Sequence, residues 1–452
     1  MTGKKANVVP LYKGGKKDAP SNYRPVSLTC VVCKVLEAII KDALVEHLKS
    51  YELLNKTQHG FMKGKSCLTN LLCFLEVVTN AVDNGHPVDV IYLDFAKAFD
   101  KVPHQRLAAK VKAHGIGGSI VAWIEEWLAN RKQTVVVNGY TSDESTVFSG
   151  VPQGSVLGPV LFLIFVNDID HGVTGHLLKF ADDAKLFMAL RDQDSALQLQ
   201  QDLSMLSRWS KDWQMLFNVG KCSVVHFGYA NSGAQYELEG EAIQTVQETK
   251  DLGVIVHESL KTSRQCLEAA KKANRMLGMV RRTIKCKSPK IMLKLYKQLI
   301  RPHLEYAVQA WCPFLKKDIE LLESVQRRAT KMIDGFQNLP YAVRLSRLRL
   351  TTLELRRERG DVIQAFKILR SVDNVDADVF FSLDTGAHNT RGHALKLKKP
   401  HSRLEVRKHF FSCRVINAFN ALPPQAVNVQ NVLEFKKKIA QRYQGERAFD
   451  RH

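Results

Sequence analysis

The sequence predicts an α+β chain of several domains. Three observations carry that reading. Short β-branched runs bounded by Gly and Pro recur up to about residue 258, interleaved with stretches of helical period. Beyond residue 260 the pattern is almost wholly that of amphipathic helices with Lys and Arg on their polar faces. With 452 residues, 45% of them hydrophobic and 25% charged, the chain is long and apolar enough for two to four domains, each with its own core.

The elements follow in order. A basic loop, Lys13 to Pro20, comes after a short apolar stretch that ends at Tyr12, and helical periodicity then runs from Lys34 to Leu48. Gln58 to Ser66 reads as a Gly-punctuated basic loop ahead of a second helix, Leu68 to Val82. Pro87 to Asp94 is a buried strand ending on a carboxylate. Gln105 to Ala113 and Ile120 to Leu128 are helices, and Thr134–Val137 with Ser145–Phe148 suggests a hairpin around Asn138 and Gly139. Val156 to Val166, apolar all round, is a buried helix after the turn Val151 to Gly154. Leu177–Phe180 and Lys185–Met188 form a hairpin tipped by Ala181, Asp182, Asp183 and Ala184. A helix from Ser195 to Trp213, a strand Ser223–Phe227 and a hairpin within Tyr236–Val256 follow. The acidic stretch Val372–Asp384 reads as a loop, and the tail from Arg391 is basic.

Charge is the informative bulk property. Lys and Arg number 66 against 45 Asp and Glu, a net +21. That balance favours a polyanionic partner, nucleic acid before an anionic membrane. Residues 1–70 carry +7, residues 71–260 carry −9 and residues 261–452 carry +23, so an acidic centre lies between two basic flanks. The apolar run Val156–Val166, broken by Gly158 and Pro159, is shorter than the ~18–20 residues of a membrane span. No transmembrane helix and no secretory leader are expected. Nine dispersed cysteines fit reduced intracellular thiols. The one C-x-x-C, Cys30 and Cys33, has no second ligand pair at zinc spacing and reads as two core cysteines.

Three carboxylates stand out. Asp94 ends an apolar strand, and Asp182 and Asp183 sit together at a hairpin tip, where two adjacent negative charges repel unless a cation compensates. A single Asp in either place is ordinarily a turn residue or cap. All three together suit nucleotidyl transfer by two Mg²⁺ ions ~3.5–4 Å apart, one activating a 3′-hydroxyl and one stabilising the leaving pyrophosphate. Mg²⁺ needs only one or two protein carboxylates per ion when substrate phosphates supply the rest.

Around these acids the sequence resembles the reverse transcriptase of non-LTR (LINE-type) retrotransposons, in its jockey and chicken-repeat branch. The matching blocks are NYRPVSLT (22–29), QHGFMKGKSC (58–67), YLDFAKAFD (92–100), SGVPQGSVLGPVLF (149–162), KFADDAKLF (179–187), FNVGKC (217–222), KDLGV (250–254), RPHLEY (301–306) and ELLESVQRRATKMI (320–333). They appear in the expected order over nearly the whole chain. The resemblance implies a right-hand polymerase with an antiparallel palm sheet: fingers over 1–88, palm over 89–258, thumb over 259–340 and a basic helical nucleic-acid-binding extension over 341–452.

By position, the resemblance implies that Asp94, Asp182 and Asp183, with the Phe95 carbonyl, bind two Mg²⁺ ions, Mn²⁺ being an alternative. Phe99 stands where the family places a gate against the 2′-hydroxyl. Gln153 would contact the incoming nucleotide, Arg24 and Lys13 its triphosphate, and Lys221 the pyrophosphate. Gln58, Lys63, Lys65, Lys271, Lys272, Arg275, Arg281 and Arg282 are the expected nucleic-acid contacts. Ala184 and Ala96 replace the Thr or Ser, and the Ser, common in the family, and neither removes a ligand. The expected activity is RNA-directed DNA polymerisation with an RNA template, a DNA primer and dNTPs, without the endonuclease domain of a full element. Nuclear location is implied by priming on chromosomal DNA. The competing reading is an inactive, retroelement-derived nucleic-acid-binding protein.

Overall fold

The computed structural model describes residues 4–384 and 393–443. The chain divides into two compact units, one of residues 1–62, 89–224 and 233–245, the other of residues 63–88, 225–232 and 246–452. These units do not coincide with the four segments read from the sequence.

The first sheet was invisible in the sequence at its start. Strands β1 (Lys5–Tyr12) and β2 (Tyr23–Leu28) pair antiparallel, so the basic loop Lys13 to Pro20 is the connection of a hairpin. Pro10 faces Pro25 in this ladder, and a proline inside a run argues against a strand because it cannot donate to its neighbour. Here the parallel pairing of β1 with β4 (Arg131–Val137) stops at Val8↔Val135, before Pro10 is reached. Asn138 and Gly139, both at positive φ, turn β4 into β5 (Tyr140–Thr141). The expected hairpin is therefore shifted: β6 (Ser145–Val147) pairs with Arg131–Gln133 rather than with the end of β4.

Helix α1 (Val31–Ser50) starts three residues before the expected Lys34 and buries Glu37, Leu44 and Leu48. Cys30 caps it and is exposed, while Cys33 is half-buried. The two are not core residues, because the helix turns its first turn outward, with Val31 and Val32 also exposed.

The second sheet carries the acids. Its order is β12 (Gln244–Thr245), β9 (Ser223–Phe227), β3 (Val88–Leu93), β8 (Asp183–Ala189) and β7 (His176–Phe180). β7 and β8 are antiparallel but β12 joins β9 in parallel, so the sheet is mixed and not wholly antiparallel. β3 is buried on both faces, apolar apart from Asp89, which accepts from the Tyr236 hydroxyl at 2.6 Å. Against this sheet the core gathers Ile91, Leu93, Leu161, Phe162, Phe165, Leu186, Leu203 and Val224. Helix Gly158–Phe165 buries every side chain except Pro159, and Ser195–Asp212 contributes Leu199, Leu203 and Leu206. The region expected to hold one hairpin within Tyr236–Val256 holds two, β10 (Glu237–Leu238) with β11 (Glu241–Ala242) and β13 (Glu248–Asp251) with β14 (Val254–His257).

The second unit is mainly helical. Helix Cys67–Asp83 opens with a reciprocal capping box between Ser66 and Thr69. Ser263–Thr283 buries Cys266, Ala269, Ala270, Ala273, Leu277 and Val280 on one stripe, small residues that permit close packing with Lys316–Lys331. The acidic stretch Val372–Asp384 is not all loop: it contains the helical turn Ala377–Phe380 and the strand Ser382–Leu383, paired with Leu397–Lys398. Residues 385–392, including Arg391, lie outside the described residues.

Part of the positive charge beyond residue 340 is structural. Arg407 is 6% exposed, paired with Glu76 and donating to Thr79 Oγ1 at 3.1 Å. Arg414 grips Asp361 through two bonds of 2.8 Å. Among the described residues no helix is long and apolar enough to cross a membrane.

Candidate active site

β3, the middle strand of the sheet, ends at Leu93 and places Asp94 just past its C-terminal end. There the chain crosses Met215–Asn218: Ala96 N donates to Leu216 O at 2.9 Å and Asn218 N to Asp94 O at 2.7 Å. Neither bond uses the Phe95 carbonyl, and the Phe95 ring stacks on Phe217 with centroids 4.6 Å apart. Lys221, in the single turn Val219–Lys221, places Nζ 3.1 Å from Asp94 Oδ2. The pair is partly open to solvent, with side chains 65% and 35% exposed, so its mutual attraction is weak.

Asp182 is set by a strained turn. Ala181 has φ +58°, a left-handed conformation uncommon for a residue with a Cβ. Gln58 holds it there: its Oε1 accepts from Ala181 N at 2.9 Å and from Gly60 N at 2.7 Å. Around this contact Lys179 N donates to Thr57 O at 3.0 Å and His59 N to Lys179 O at 2.8 Å. A Cβ on Gly60 would collide with Ala181 N, so only glycine lets the two segments meet. Gln58 is 3% exposed, with Oε1 engaged in holding the turn, so burial leaves it no open surface for the expected nucleic-acid contact.

Burial pushes the Asp182 carboxyl up, and the negative charge of Asp94 pushes it further, while its own backbone amide, Arg24 and Lys13 pull it down. Asp94, Asp182, Arg24 and Lys13 thus share one electrostatic site. Asp183, the first residue of β8, is exposed. Among the described residues no three His, Cys, Asp or Glu side chains are grouped as a cage for a metal ion. Two acidic residues within each other's field, one raised by burial, still fit a hard cation that completes its shell with water and phosphate oxygens. The cationic Nζ of Lys221 on Asp94 marks where positive charge is favoured.

The other expected nucleotide contacts lie on further segments of the same unit. β2, which bears Arg24, is tied to the turn after β6 by Ser27 N donating to Gln153 O at 2.7 Å. Gly154, at φ +107°, would bring a Cβ within 2.6 Å of Ser27 O. Gln153 Nε2 donates to Asp100 Oδ1 at 3.0 Å, and burial raises the Asp100 carboxyl. Phe99 lies between Phe162, stacked at 4.4 Å, and Phe61, edge-on at 6.3 Å.

Residues 14–279 match the family described as reverse transcriptase (RNA-dependent DNA polymerase). The chain belongs to this family. Among reverse transcriptase relatives it is 28% identical over 338 residues to a protein called probable RNA-directed DNA polymerase from transposon X-element of Drosophila melanogaster, covering 72% of this chain and 37% of that one. With the RNA-directed DNA polymerase from mobile element jockey of the same species it shares 26% identity over 354 residues, 74% of this chain and 38% of the relative. The chain spans less than two-fifths of the length of these relatives. Of solved structures, apo telomerase from Candida tropicalis aligns at TM-score 0.45 and 10% identity, covering 82% of this chain and 62% of that one.

The α+β class and the resemblance to non-LTR reverse transcriptases are borne out. In this reverse transcriptase the sequence singles out Asp94, Asp182 and Asp183 and gives no role to Asp100, which accepts from Gln153, or to Gln58 as the partner of the Asp182 turn. Lys63 and Lys65, and the exposed Lys271, Lys272, Arg275, Arg281 and Arg282 on Ser263–Thr283, belong to the second unit.

Proposed function

We propose that the chain is an RNA-directed DNA polymerase that adds deoxynucleotides to a primer 3′-hydroxyl on an RNA template, as part of a non-LTR retrotransposon. The observation that carries this reading is that Asp94, just past β3, and Asp182, just ahead of the neighbouring strand β8, lie in one field with the cationic Arg24 and Lys13, in a chain of the reverse transcriptase family. Asp94 and Asp182 would hold divalent cations, Mg²⁺ or Mn²⁺, with Asp183 and the Phe95 carbonyl as further donors. When bound, such ions neutralise charge developing on the attacking and leaving oxygens.

The chain's own residues do the remaining work. Arg24 presents a planar fork to the triphosphate and Lys13 a point charge. Gln153, its amide oriented by Asp100, faces the nucleotide from the glycine-flanked turn. Phe99, backed by Phe162, cannot recede from a 2′-hydroxyl and so selects deoxyribose. Lys221 is in reach of Asp94 and can give a proton to pyrophosphate. We assign fingers to 1–88, palm to 89–258, thumb to 259–340 and nucleic-acid binding to the extension that follows, with nuclear location expected from priming on chromosomal DNA.

Primer extension on an RNA template tests the reading. Incorporation should require Mg²⁺ or Mn²⁺, cease with chelator and be lost in Asp182→Ala plus Asp183→Ala. Incorporation that survives this double substitution overturns the site. RNA binding without incorporation in the wild-type chain would favour the inactive nucleic-acid-binding protein.

A further inference from the structure

Phe61 is anomalous in two ways. It is a bulky residue at φ +55°, a backbone conformation such side chains rarely adopt. It is also 57% exposed, so core packing does not account for an aromatic ring there. What the ring meets is Phe99, with centroids 6.3 Å apart and planes at 79°. We propose that Phe61 is a positioning residue for the sugar gate: by blocking rotation of the Phe99 ring it sets how strongly the chain prefers deoxynucleotides to ribonucleotides. The proposal rests on the polymerase reading above, with Phe99 as its gate.

A gate selects only if it cannot swing aside. The Phe99 backbone is fastened, since its carbonyl accepts from Val151 N at 2.7 Å and, three residues on, Val102 O accepts from Gly150 N at 2.8 Å. The ring is fastened from within the fold: Phe162, fully buried on helix Gly158–Phe165, stacks on it at 4.4 Å with planes 16° apart. Phe99 itself is only partly buried, so its solvent side needs a second stop. The exposed ring of Phe61 stands edge-on against it there. An edge-on aromatic pair has a preferred angle, and rotation of one ring loses contact with the other.

The stop is itself held. Phe61 follows Gly60, whose N donates to Gln58 Oε1 at 2.7 Å and whose missing Cβ lets it lie against Ala181. A strained backbone persists where its surroundings over-determine it, and here this clamp does so. Residues 58–61 thus hold two parts of the site at once, Gln58 the turn before Asp182 and Phe61 the ring of the gate.

The test is single-nucleotide incorporation by the full chain on an RNA template, with a dNTP and the matching rNTP, read as the ratio of their kcat/KM values. Phe61→Asn removes the ring and supplies a residue type that enters the left-handed region readily. It should lower the ratio about 2- to 10-fold, the range of an aromatic edge contact. Phe61→Leu, which keeps apolar bulk without the ring, should lower it less, and Phe61→Tyr should retain the wild-type ratio. In a Phe99→Ala background, Phe61→Asn should have no further effect on the ratio. Damage confined to folding lowers both incorporations alike and leaves the ratio unmoved, which counts against the proposal. It is overturned if the ratio stays at the wild-type value in both Phe61→Asn and Phe61→Leu while Phe99→Ala collapses it, or if Phe61→Asn shifts the ratio as much without Phe99 as with it. A wild-type chain that incorporates nothing, or one that Phe99→Ala leaves equally selective, overturns the reading beneath it instead.

Discussion

At Gln58 one side-chain oxygen fixes two backbone amides. Gln58→Leu keeps the volume and leaves both amides without their acceptor, at about 1–3 kcal/mol each. Incorporation should fall at least ~10-fold while RNA affinity is unchanged, measured by primer extension and by filter binding. At Asp182 the sign runs the other way. A carboxyl raised by burial and by Asp94 is bound to its proton more tightly in the folded chain than in the unfolded one. It therefore destabilises the fold as pH rises through that raised value, and Asp182→Asn relieves the effect. The variant should be inactive yet melt higher than wild type at pH 7, on the order of 2 °C, with the gap closing as the pH is lowered to where Asp182 is protonated. Phe99→Ala should relax the preference for dNTPs over rNTPs, read as the ratio of kcat/KM for the two. The sequence made the acids legible because an apolar strand ending in Asp and an apolar hairpin tipped by two more have few structural excuses. Gln58 was not legible in its real role, since a glutamine in a Gly-rich loop reads the same whether it faces solvent or a backbone.

Among the elements, helices and buried strands were read within a few residues because their pattern is local: Gly158–Phe165 is apolar on every face, β3 is β-branched and buried, and Ser263–Thr283 carries one small-residue stripe. β1 and β2 escaped because each contains a proline, and only their pairing reveals that Pro10 and Pro25 face each other. The register of β6 escaped because the turn at Asn138 and Gly139 closes the end of β4 onto β5, leaving Arg131–Gln133 for β6. Helix Cys67–Asp83 depends on a distant partner. Glu76 and Arg407 are both buried, and removing one member of such a pair leaves the other uncompensated. Burial raises the Glu76 carboxyl even so, which shows how much the guanidinium must offset. Arg407→Leu should cost about 3–5 kcal/mol in a denaturant titration, whereas Arg281→Leu, at an exposed position, should change stability by less than about 0.5 kcal/mol.

For the molecule as a whole, the segregated charge predicts behaviour with salt. Binding of RNA should weaken linearly in a log–log plot, with a slope near the number of phosphates neutralised, and each charge removed from Lys271, Lys272, Arg275, Arg281 and Arg282 should reduce that slope by about one. Not every basic residue counts toward it, because Arg407 and Arg414 are already paired inside the fold. The division into two units was not readable from the sequence, since it rests on partners far apart in the chain, such as Asp83 accepting from Arg403 N and Leu404 N. The same distance separates the two halves of the clamp on the Asp182 turn: Gln58 and Ala181 are 123 positions apart. Contacts of such separation incur a large loop-closure entropy and form late. During refolding from denaturant, helical circular dichroism should therefore recover before nucleotide incorporation does, and the chain should pass through a species that has its helices but not yet its chemistry.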